Sequence, residues 1–483
     1  MKKYTLYLYA TIAALAIGCA DFGDTNVSPN ASKTPLTSAL LTNALSTLGN
    51  TVATGANVTT GLYCQYYSEI LYTDASRYSV QDIDWAGELA GGMYDLQNII
   101  NINSDPATAE IAGLNGSNNN QIAIARILKA YRFSVLTDRY GDMPYSEALT
   151  ENTQPVFDTQ QAIYTDLFKE LKEAVAQFDA GPSVKGDILF DGDNTKWKKF
   201  ANSLRVILAV RISNADAALG QAQFNDALSS DGGVLELDGN SDPVEDVVLK
   251  YYAASNAFSN PYYYAIAGDF NICSTIANFL NTNGDRRNNA FGVIPAGKSA
   301  LVGVPPGLQR QDAIDFTANN PDHSLVLAES FRMSTSPVVI LSTADVLLAK
   351  AEAAQMNWFG GNKTQLYADG IKASWKRWNV YESGAYDAYM ANANIDLTLN
   401  PLVKIQTQRW LSFFPNGSQG WSEWRRTGIP VLTPSPVPAN TSGEIPVRFI
   451  YPTIEYGLNG DKLEAAVAIQ GTDNSDTHVW WDK

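Results

Sequence analysis

Aromatic side chains with polar neighbours cluster between Tyr63 and Trp85, in the stretch YCQYYSEILYTDASRYSVQDIDW. A sugar ring has apolar C–H faces and a rim of hydroxyls, so aromatic rings beside carboxylate, amide or guanidinium groups suit it. Peptide side chains would suit such a surface too. The spacing of Tyr63, Tyr66 and Tyr67 by three and four is equally typical of one buried helical face. We predict ligand contacts in this stretch at Tyr66, Tyr67, Tyr72, Tyr78 and Trp85.

A second cluster, AFSNPYYYAIAGDF, has three consecutive tyrosines after Asn260 and Pro261. Three consecutive side chains cannot all face one core, so at least one of these rings should be exposed or cover a loop. The cluster predicts further ligand contacts at Asn260, Tyr262 and Tyr263.

Catalytic and metal-binding motifs are missing from the sequence. It contains no GxSxG elbow, no HExxH, no P-loop and no strand-framed GxGxxG. Its 50 acidic residues could supply the carboxylate pair of a glycosidase, but none lies in a recognisable catalytic phrase. His323 and His478 are isolated, and the DGDN and DGNSD stretches lack the terminal Glu of a calcium loop. We predict no catalytic residue, no metal site and no cofactor.

The composition is that of a large acidic globular protein. With 50 acidic and 34 basic residues among 483, the net charge is -16, which argues against binding to nucleic acid. Beyond the N-terminal region only Cys64 and Cys273 remain, too few for a disulfide scaffold or a zinc cluster. The sequence leaves open whether these two cysteines pair or are two buried thiols.

The N-terminal run MKKYTLYLYATIAALAIGC has two lysines, a short apolar middle and small residues at its end, as in a secretory signal. It is shorter than the roughly 20 apolar residues of a spanning helix. Residues 1–18 are predicted to be the signal peptide. Ala16-Ile17-Gly18-Cys19 resembles the lipobox of bacterial lipoproteins, although Ala16 stands where Leu is usual, and this implies lipidation of Cys19. An ordinary secretory signal is the alternative.

Helical periodicity dominates the rest of the chain, after a polar stretch at 19–37 that we interpret as a tether. One helix is predicted around Ile124 to Val135, and another around Ile163 to Phe178 with a start at Asp158 or Thr159. Loops and short strands are expected from about Gly232 to Gly307. Residues 38–483 are predicted to form a single domain. Further helices are predicted within WKKFANSLRVILAVRIS, STADVLLAKAEAAQMNW and YADGIKASWKRWNV.

Seven phrases of the chain share a pattern with one known protein family. They are FGDTNVSPNAS, RILKAYRFSVLTDRYGDMPYSEAL, WKKFANSLRVILAVRIS, AEAAQMNWFG, SWKRWNV, QRWLSFFPNGSQGWSEWRRTGIPVL and IPVRFIYPTIEYGLN. In this order they resemble, in register, phrases of the SusD/RagB family of nutrient-binding lipoproteins of Bacteroidota. Asp345 departs from the Glu that is frequent in that family.

The resemblance implies a mainly α SusD-like fold, with four tetratricopeptide-like helix pairs packed against a loop-rich ligand-binding region with short strands. It implies a SusC-like TonB-dependent outer-membrane transporter as partner, over which the protein would sit as a lid. Asp21 and Asp24 resemble signals for the cell surface. It also favours a structural role for Arg425 and Arg426.

We expect an oligomeric nutrient as ligand, in the first place a glycan, which is bound without turnover. A peptide-binding lid is the rival within the family. A surface glycan hydrolase and a repeat scaffold that binds only protein are rivals from other classes.

Overall fold

The computed structural model of the protein describes residues 35–237, 245–252, 258–266 and 268–483. The predicted signal peptide, Cys19 and the predicted tether up to residue 34 lie outside the described residues. Among the described residues, those from Thr37 to Lys483 form one compact unit by their contacts. None of the helices in these ranges is both long and apolar enough to cross a membrane.

Helices form most of the N-terminal half, and they begin where capping side chains supply hydrogen bonds. Thr159, one of the two predicted starts, accepts a bond from the Ala162 amide at 3.3 Å. The helices are α1 (Thr37–Ser46), α2 (Leu48–Ala53), α3 (Ala56–Tyr63), α4 (Ala86–Glu88), α5 (Tyr94–Ser104), α6 (Ala109–Ala112), α7 (Asn118–Tyr140), α8 (Gln160–Gln177), α9 (Asn194–Arg211) and α10 (Ala217–Ser229).

The C-terminal half is also helical, and it contains the other two predicted long helices. Ser342 and Asp345 form a reciprocal capping box at the start of the helix Thr343–Gln355. The helices are α11 (Tyr262–Ala265), α12 (Ser274–Asn283), α13 (Asn288–Phe291), α14 (Arg310–Asn319), α15 (Glu329–Arg332), α16 (Thr343–Gln355), α17 (Lys363–Arg377), α18 (Ser383–Met390), α19 (Pro401–Phe413), α20 (Gly417–Thr427), α21 (Thr453–Leu458) and α22 (Gly460–Gln470).

Consecutive helices pack as pairs, α7 with α8, α9 with α10, α16 with α17 and α19 with α20. The amphipathic patterns read from the sequence supply the apolar faces that meet in these pairs. This confirms a mainly helical fold, while the number of tetratricopeptide-like pairs stays a prediction.

Within the described residues, short strands form three two-stranded ribbons, two of which join distant parts of the chain. In the ribbon formed by Tyr67–Glu69 and Phe270–Ile272, the strands are antiparallel, and Tyr67 pairs with Ile272 and Glu69 with Phe270. The region expected to hold loops and short strands does contain the strands Val247–Leu249 and Phe270–Ile272, but also the helices Tyr262–Ala265, Ser274–Asn283 and Asn288–Phe291, which the sequence prediction missed. The strands are β1 (Tyr67–Glu69), β2 (Met143–Pro144), β3 (Phe157–Asp158), β4 (Val247–Leu249), β5 (Phe270–Ile272) and β6 (Val338–Leu341).

Buried ion pairs tie the C-terminal helices together. Arg409 Nε lies 2.9 Å and Arg426 Nη2 2.6 Å from the same oxygen of Glu423. Burial alone would raise the pKa of Glu423, but these two guanidinium groups lower it to about 2. Arg425 donates to the main-chain oxygens of Asp138, at 2.6 Å, and Val447, at 2.8 Å. The structural role predicted for Arg425 and Arg426 is therefore confirmed.

The two cysteines are buried free thiols in this structure, which decides between the alternatives that the sequence left open. Burial raises the pKa of both Cys64 and Cys273. Neither thiol therefore has the low pKa and exposure of a reactive cysteine.

Candidate functional site

Tyr66 and Tyr67 lie in the interior beside helix α19. The ring of Tyr66 is centred 5.2 Å from that of Trp410, and its hydroxyl donates to the main-chain oxygen of Trp410. The hydroxyl of Tyr67 donates to the main-chain oxygen of Pro415. Burial raises the pKa of both hydroxyls, so they stay protonated as donors. Both tyrosines are core residues rather than parts of a contact surface.

Tyr78 and Trp85 also point inward. The Tyr78 hydroxyl accepts a hydrogen bond from the Ser435 amide at 2.9 Å. The Trp85 indole is 2% exposed, its ring centroid lies 4.8 Å from that of Tyr140, and its N–H donates to Glu455 at 3.2 Å. Neither side chain presents a ring face to solvent.

Asn260 and Tyr262 hold the second tyrosine cluster in place. The Asn260 side chain donates to the main-chain oxygen of Phe331 at 3.2 Å and accepts from the Tyr262 amide at 2.9 Å. The Tyr262 hydroxyl donates to the main-chain oxygen of Val52 at 2.8 Å. These contacts fix the short helix α11 against the body of the protein.

Six of the eight residues that the sequence put forward as ligand contacts are thus interior residues, and we correct their role to a structural one. The physical reason is common to most of them: their polar atoms find partners inside the protein, largely on the main chain, so burial costs little. The six are Tyr66, Tyr67, Tyr78, Trp85, Asn260 and Tyr262.

The remaining two, Tyr72 and Tyr263, are exposed to 78% and 58%. Tyr264 is exposed to 54%, so the prediction that the three consecutive tyrosines cannot all be buried is confirmed. Tyr72 follows strand β1, and Tyr263 and Tyr264 precede strand β5. Because β1 and β5 are antiparallel, the end of one strand and the start of the other lie at the same end of the ribbon.

Tyr72 lies three residues after β1, and Tyr263 and Tyr264 lie seven and six residues before β5. We call these three exposed residues, Tyr72, Tyr263 and Tyr264, on the two segments that lead to this end of the ribbon, the tyrosine edge. Asp269 fastens its two chain segments together. One carboxylate oxygen of Asp269 accepts from the amides of Ile70 at 3.0 Å and Leu71 at 2.5 Å, and the other accepts from the Tyr72 amide at 3.1 Å. Asp269, almost 200 positions later in the sequence, therefore fixes the position of the loop that carries Tyr72.

A buried carboxyl group lies directly beneath the loop. Glu69 accepts a hydrogen bond from the Ser76 amide at 3.0 Å. Burial, with smaller contributions from Asp269 and Asp74, raises the pKa of Glu69 to about 7. The Ser76 amide opposes this shift but does not cancel it. The loop between Glu69 and Ser76 is therefore held by a group that titrates close to neutral pH.

The chemistry available at the tyrosine edge is that of binding. Exposed rings held on a fixed backbone can stack against apolar faces of a ligand, and the hydroxyls at their tips can form hydrogen bonds. The carboxylate of Asp269 is engaged by three amides and that of Glu69 is buried, so both act on the loop. In the part of the chain that the structure describes, no group of three or more His, Cys, Asp or Glu side chains could hold a metal ion.

Sequence reasoning missed Asp269, and it named Tyr262 and Tyr263 as ligand contacts but not the exposed Tyr264. Asp269 stands immediately before a strand, a position that signals little without knowledge of the pairing partner. The pairing of β1 with β5 spans about 200 residues, and no local pattern encodes it.

A family model described as "Starch-binding associating with outer membrane", SusD-like, matches residues 29–452. The chain belongs to the SusD-like family. This match covers most of the described residues and agrees with the phrases that carried the resemblance in sequence.

Solved structures agree with this assignment. A chitin-binding protein is 28% identical to this SusD-like chain, with a TM-score of 0.79 over 92% of this chain and 100% of the other. A SusD homologue from Bacteroides uniformis is 25% identical, with a TM-score of 0.77 over 92% and 99%. A chitin-binding SusD homologue from Flavobacterium johnsoniae, 22% identical, has a TM-score of 0.75 over 92% and 98% and supports the fold alone. Curated proteins gave no match to the sequence.

Proposed function

We propose that this SusD-like protein binds an oligomeric glycan at the cell surface and delivers it to a SusC-like TonB-dependent transporter in the outer membrane. Binding proceeds without cleavage of the glycan. The observation that carries the proposal is the tyrosine edge, where Tyr72, Tyr263 and Tyr264 are exposed on the two segments that lead to one end of the β1–β5 ribbon.

A glycan is the ligand class that fits these rings best. Pyranose rings have apolar faces of the right size to stack on tyrosine, and their hydroxyls pair with phenol oxygens. The family description refers to starch, and one of the similar structures is a chitin-binding protein. Both ligands are neutral polymers of hexopyranose units, so a stacking surface is the shared requirement.

The partner and the location extend this proposal. The lipidated Cys19 anchors the protein in the outer membrane, and residues 19–37 tether the domain that covers a transporter as a hinged lid. An anchor of several acyl chains gives the stable attachment that a single chain does not. The transporter is a TonB-dependent barrel of the SusC type.

The test is calorimetric titration of the purified full-length protein in detergent with maltooligosaccharides, chitooligosaccharides and a set of oligopeptides. The products in each sample are analysed by chromatography after the titration. We expect saturable binding of at least one oligosaccharide series and no shortening of the oligomers.

Two results contradict the proposal. Binding of peptides with no response to any glycan would make the protein a peptide-binding lid. Release of new reducing ends would make it a glycan hydrolase.

A further inference from the structure

A separate cleft opens between helix α9, the segment that starts with β4, and the C-terminal end of helix α17. Its volume is about 710 Å³. Cavities that bind small ligands typically measure about 300–1,000 Å³. Neither Tyr72 nor Tyr263 lines it, so the cleft is distinct from the tyrosine edge. Its lining includes Lys196, Lys199, Lys250, Tyr251, Tyr252 and Arg377.

The charge of this cleft is opposite to that of the whole protein. Five basic side chains line it, Lys196, Lys199, Lys250, Lys376 and Arg377, against the two acidic residues Glu245 and Asp246. The chain as a whole carries a net charge of -16. A concave surface lined by one sign of charge concentrates ligands of the other sign.

The acidic residues of the cleft are already engaged. The carboxylate of Glu245 lies 2.7 Å from Lys199 Nζ. Asp246 accepts a hydrogen bond from the Thr343 amide at 2.8 Å. Lys196 and Lys250, by contrast, form no ion pair with any residue that the structure describes, and both are exposed. Two lysine ammonium groups therefore remain for an anionic ligand.

An aromatic wall accompanies these charges. Tyr252 is exposed to 77%, while its neighbour Tyr251 is buried with its ring centred 4.7 Å from that of Phe258. Burial raises the pKa of Tyr251, and the neighbouring Tyr264 of the tyrosine edge adds to this. The cleft thus repeats the combination of an exposed ring with polar groups that the tyrosine edge has.

Unused hydrogen-bond donors lie behind the cleft. A smaller cavity of about 100 Å³ shares the lining residues Pro337, Val339 and Arg377 with it. Two buried donors that line this cavity, the hydroxyl of Tyr131 and the indole N–H of Trp378, have no hydrogen-bond partner among the described residues. A group rich in acceptor oxygens would satisfy such donors.

We infer that this cleft binds an acidic oligosaccharide, whose sugar rings carry carboxylate or sulfate groups. The inference rests on the proposed function and names a ligand class for a second site. Lys196 and Lys250 bind the anionic groups, and the exposed ring of Tyr252 stacks on a sugar face. A neutral glycan binds at the tyrosine edge without these charges.

The test compares calorimetric titrations of the full-length protein with tetragalacturonate, a sulfated carrageenan tetrasaccharide, maltotetraose and a tetra-aspartate peptide. The test variant is the double substitution Lys196→Gln and Lys250→Gln. The control variant, Lys185→Gln and Lys462→Gln, changes the net charge equally at exposed residues outside the cleft.

We expect at least one acidic tetrasaccharide to bind, with an affinity that falls as salt is added. The test variant should weaken this binding about tenfold, because each exposed charge pair contributes a few-fold. The control variant should bind as the wild type does. Tyr72→Ala should also leave acidic binding unchanged, which separates the cleft from the tyrosine edge.

The outcomes separate the two proposals. Maltotetraose binding without acidic binding overturns the inference and leaves the proposed function intact. If the test and control variants bind the acidic tetrasaccharide equally, whether both more weakly than the wild type or both as tightly, the assignment of the site to this cleft is overturned. A tetra-aspartate peptide that binds as tightly as the acidic sugars overturns the ligand class. Binding to no glycan at all overturns the proposed function as well.

Discussion

Replacing Trp85 with alanine should destabilise the fold, because the indole lies in the interior. Its ring centroid lies 4.8 Å from that of Tyr140 and 6.0 Å from that of Tyr451. Truncation of a buried aromatic residue to alanine costs about 3–5 kcal/mol in lost apolar contacts and residual cavity. Glu455 would also lose the hydrogen bond that it accepts from the indole N–H. We therefore expect the free energy of unfolding to fall by about 4 kcal/mol.

Urea denaturation followed by far-ultraviolet circular dichroism measures this loss without relying on tryptophan fluorescence. Trp85→Phe keeps a ring in the site but removes the N–H, so its loss should be about 1–2 kcal/mol. Tyr72→Ala is the matched surface control. Since Tyr72 is 78% exposed, its removal should change the free energy of unfolding by no more than about 0.5 kcal/mol.

A specific pattern would refute this reasoning. If Trp85→Ala unfolded at the same urea concentration as the wild type but bound glycan more weakly, the indole would belong to the binding surface. A large loss of stability in Tyr72→Ala would contradict the exposure of that ring.

Three further predictions follow from the buried charges and the N-terminus. Glu423→Gln should lower the free energy of unfolding by about 3–5 kcal/mol, because it breaks a buried ion network. Thermal denaturation measures this loss, and the control Glu173→Gln, at an exposed ion pair, should unfold at nearly the same temperature as the wild type. The pKa of Glu69 rises from 4.5 to about 7 on folding, so its protonated form stabilises the fold fully below pH 4.5 and that stability is lost as the pH rises through about 7. Urea denaturation at a series of pH values measures this dependence of the free energy of unfolding on pH, which is worth about 3 kcal/mol and which Glu69→Gln should remove. A wild-type free energy of unfolding that stays constant from pH 4.5 to pH 7 would contradict the raised pKa of Glu69. Cys19→Ala should move the protein from the outer-membrane fraction to the soluble fraction, and retention of a cleaved variant in the membrane would contradict the lipid anchor.

The helical part of the fold could be predicted because its signals are local. The apolar spacing around Ile124 and Ile163 lies within single helices, and the Thr159 cap acts three residues away. Trp358, Trp375 and Trp378 are buried, because each belongs to an apolar helical pattern or lies just beyond its end.

The candidate site could be predicted only as two stretches of chain. Tyr66 and Tyr72 are six residues apart and chemically identical, yet one is in the core and the other is exposed. The partners that distinguish them are distant in sequence. The main-chain oxygen of Trp410 accepts a hydrogen bond from the Tyr66 hydroxyl, and the Asp269 carboxylate accepts one from the Tyr72 amide. Burial of a tyrosine depends on such partners, and a single sequence does not encode where they will lie.

The most direct test of the central claim is the glycan affinity of the double variant Tyr72→Ala and Tyr263→Ala, beside the exposed control Tyr94→Ala. Loss of two stacking contacts should weaken glycan binding about tenfold or more, with no change in the urea unfolding midpoint. The control should bind as the wild type does. Unchanged affinity in the double variant would contradict glycan capture at the tyrosine edge.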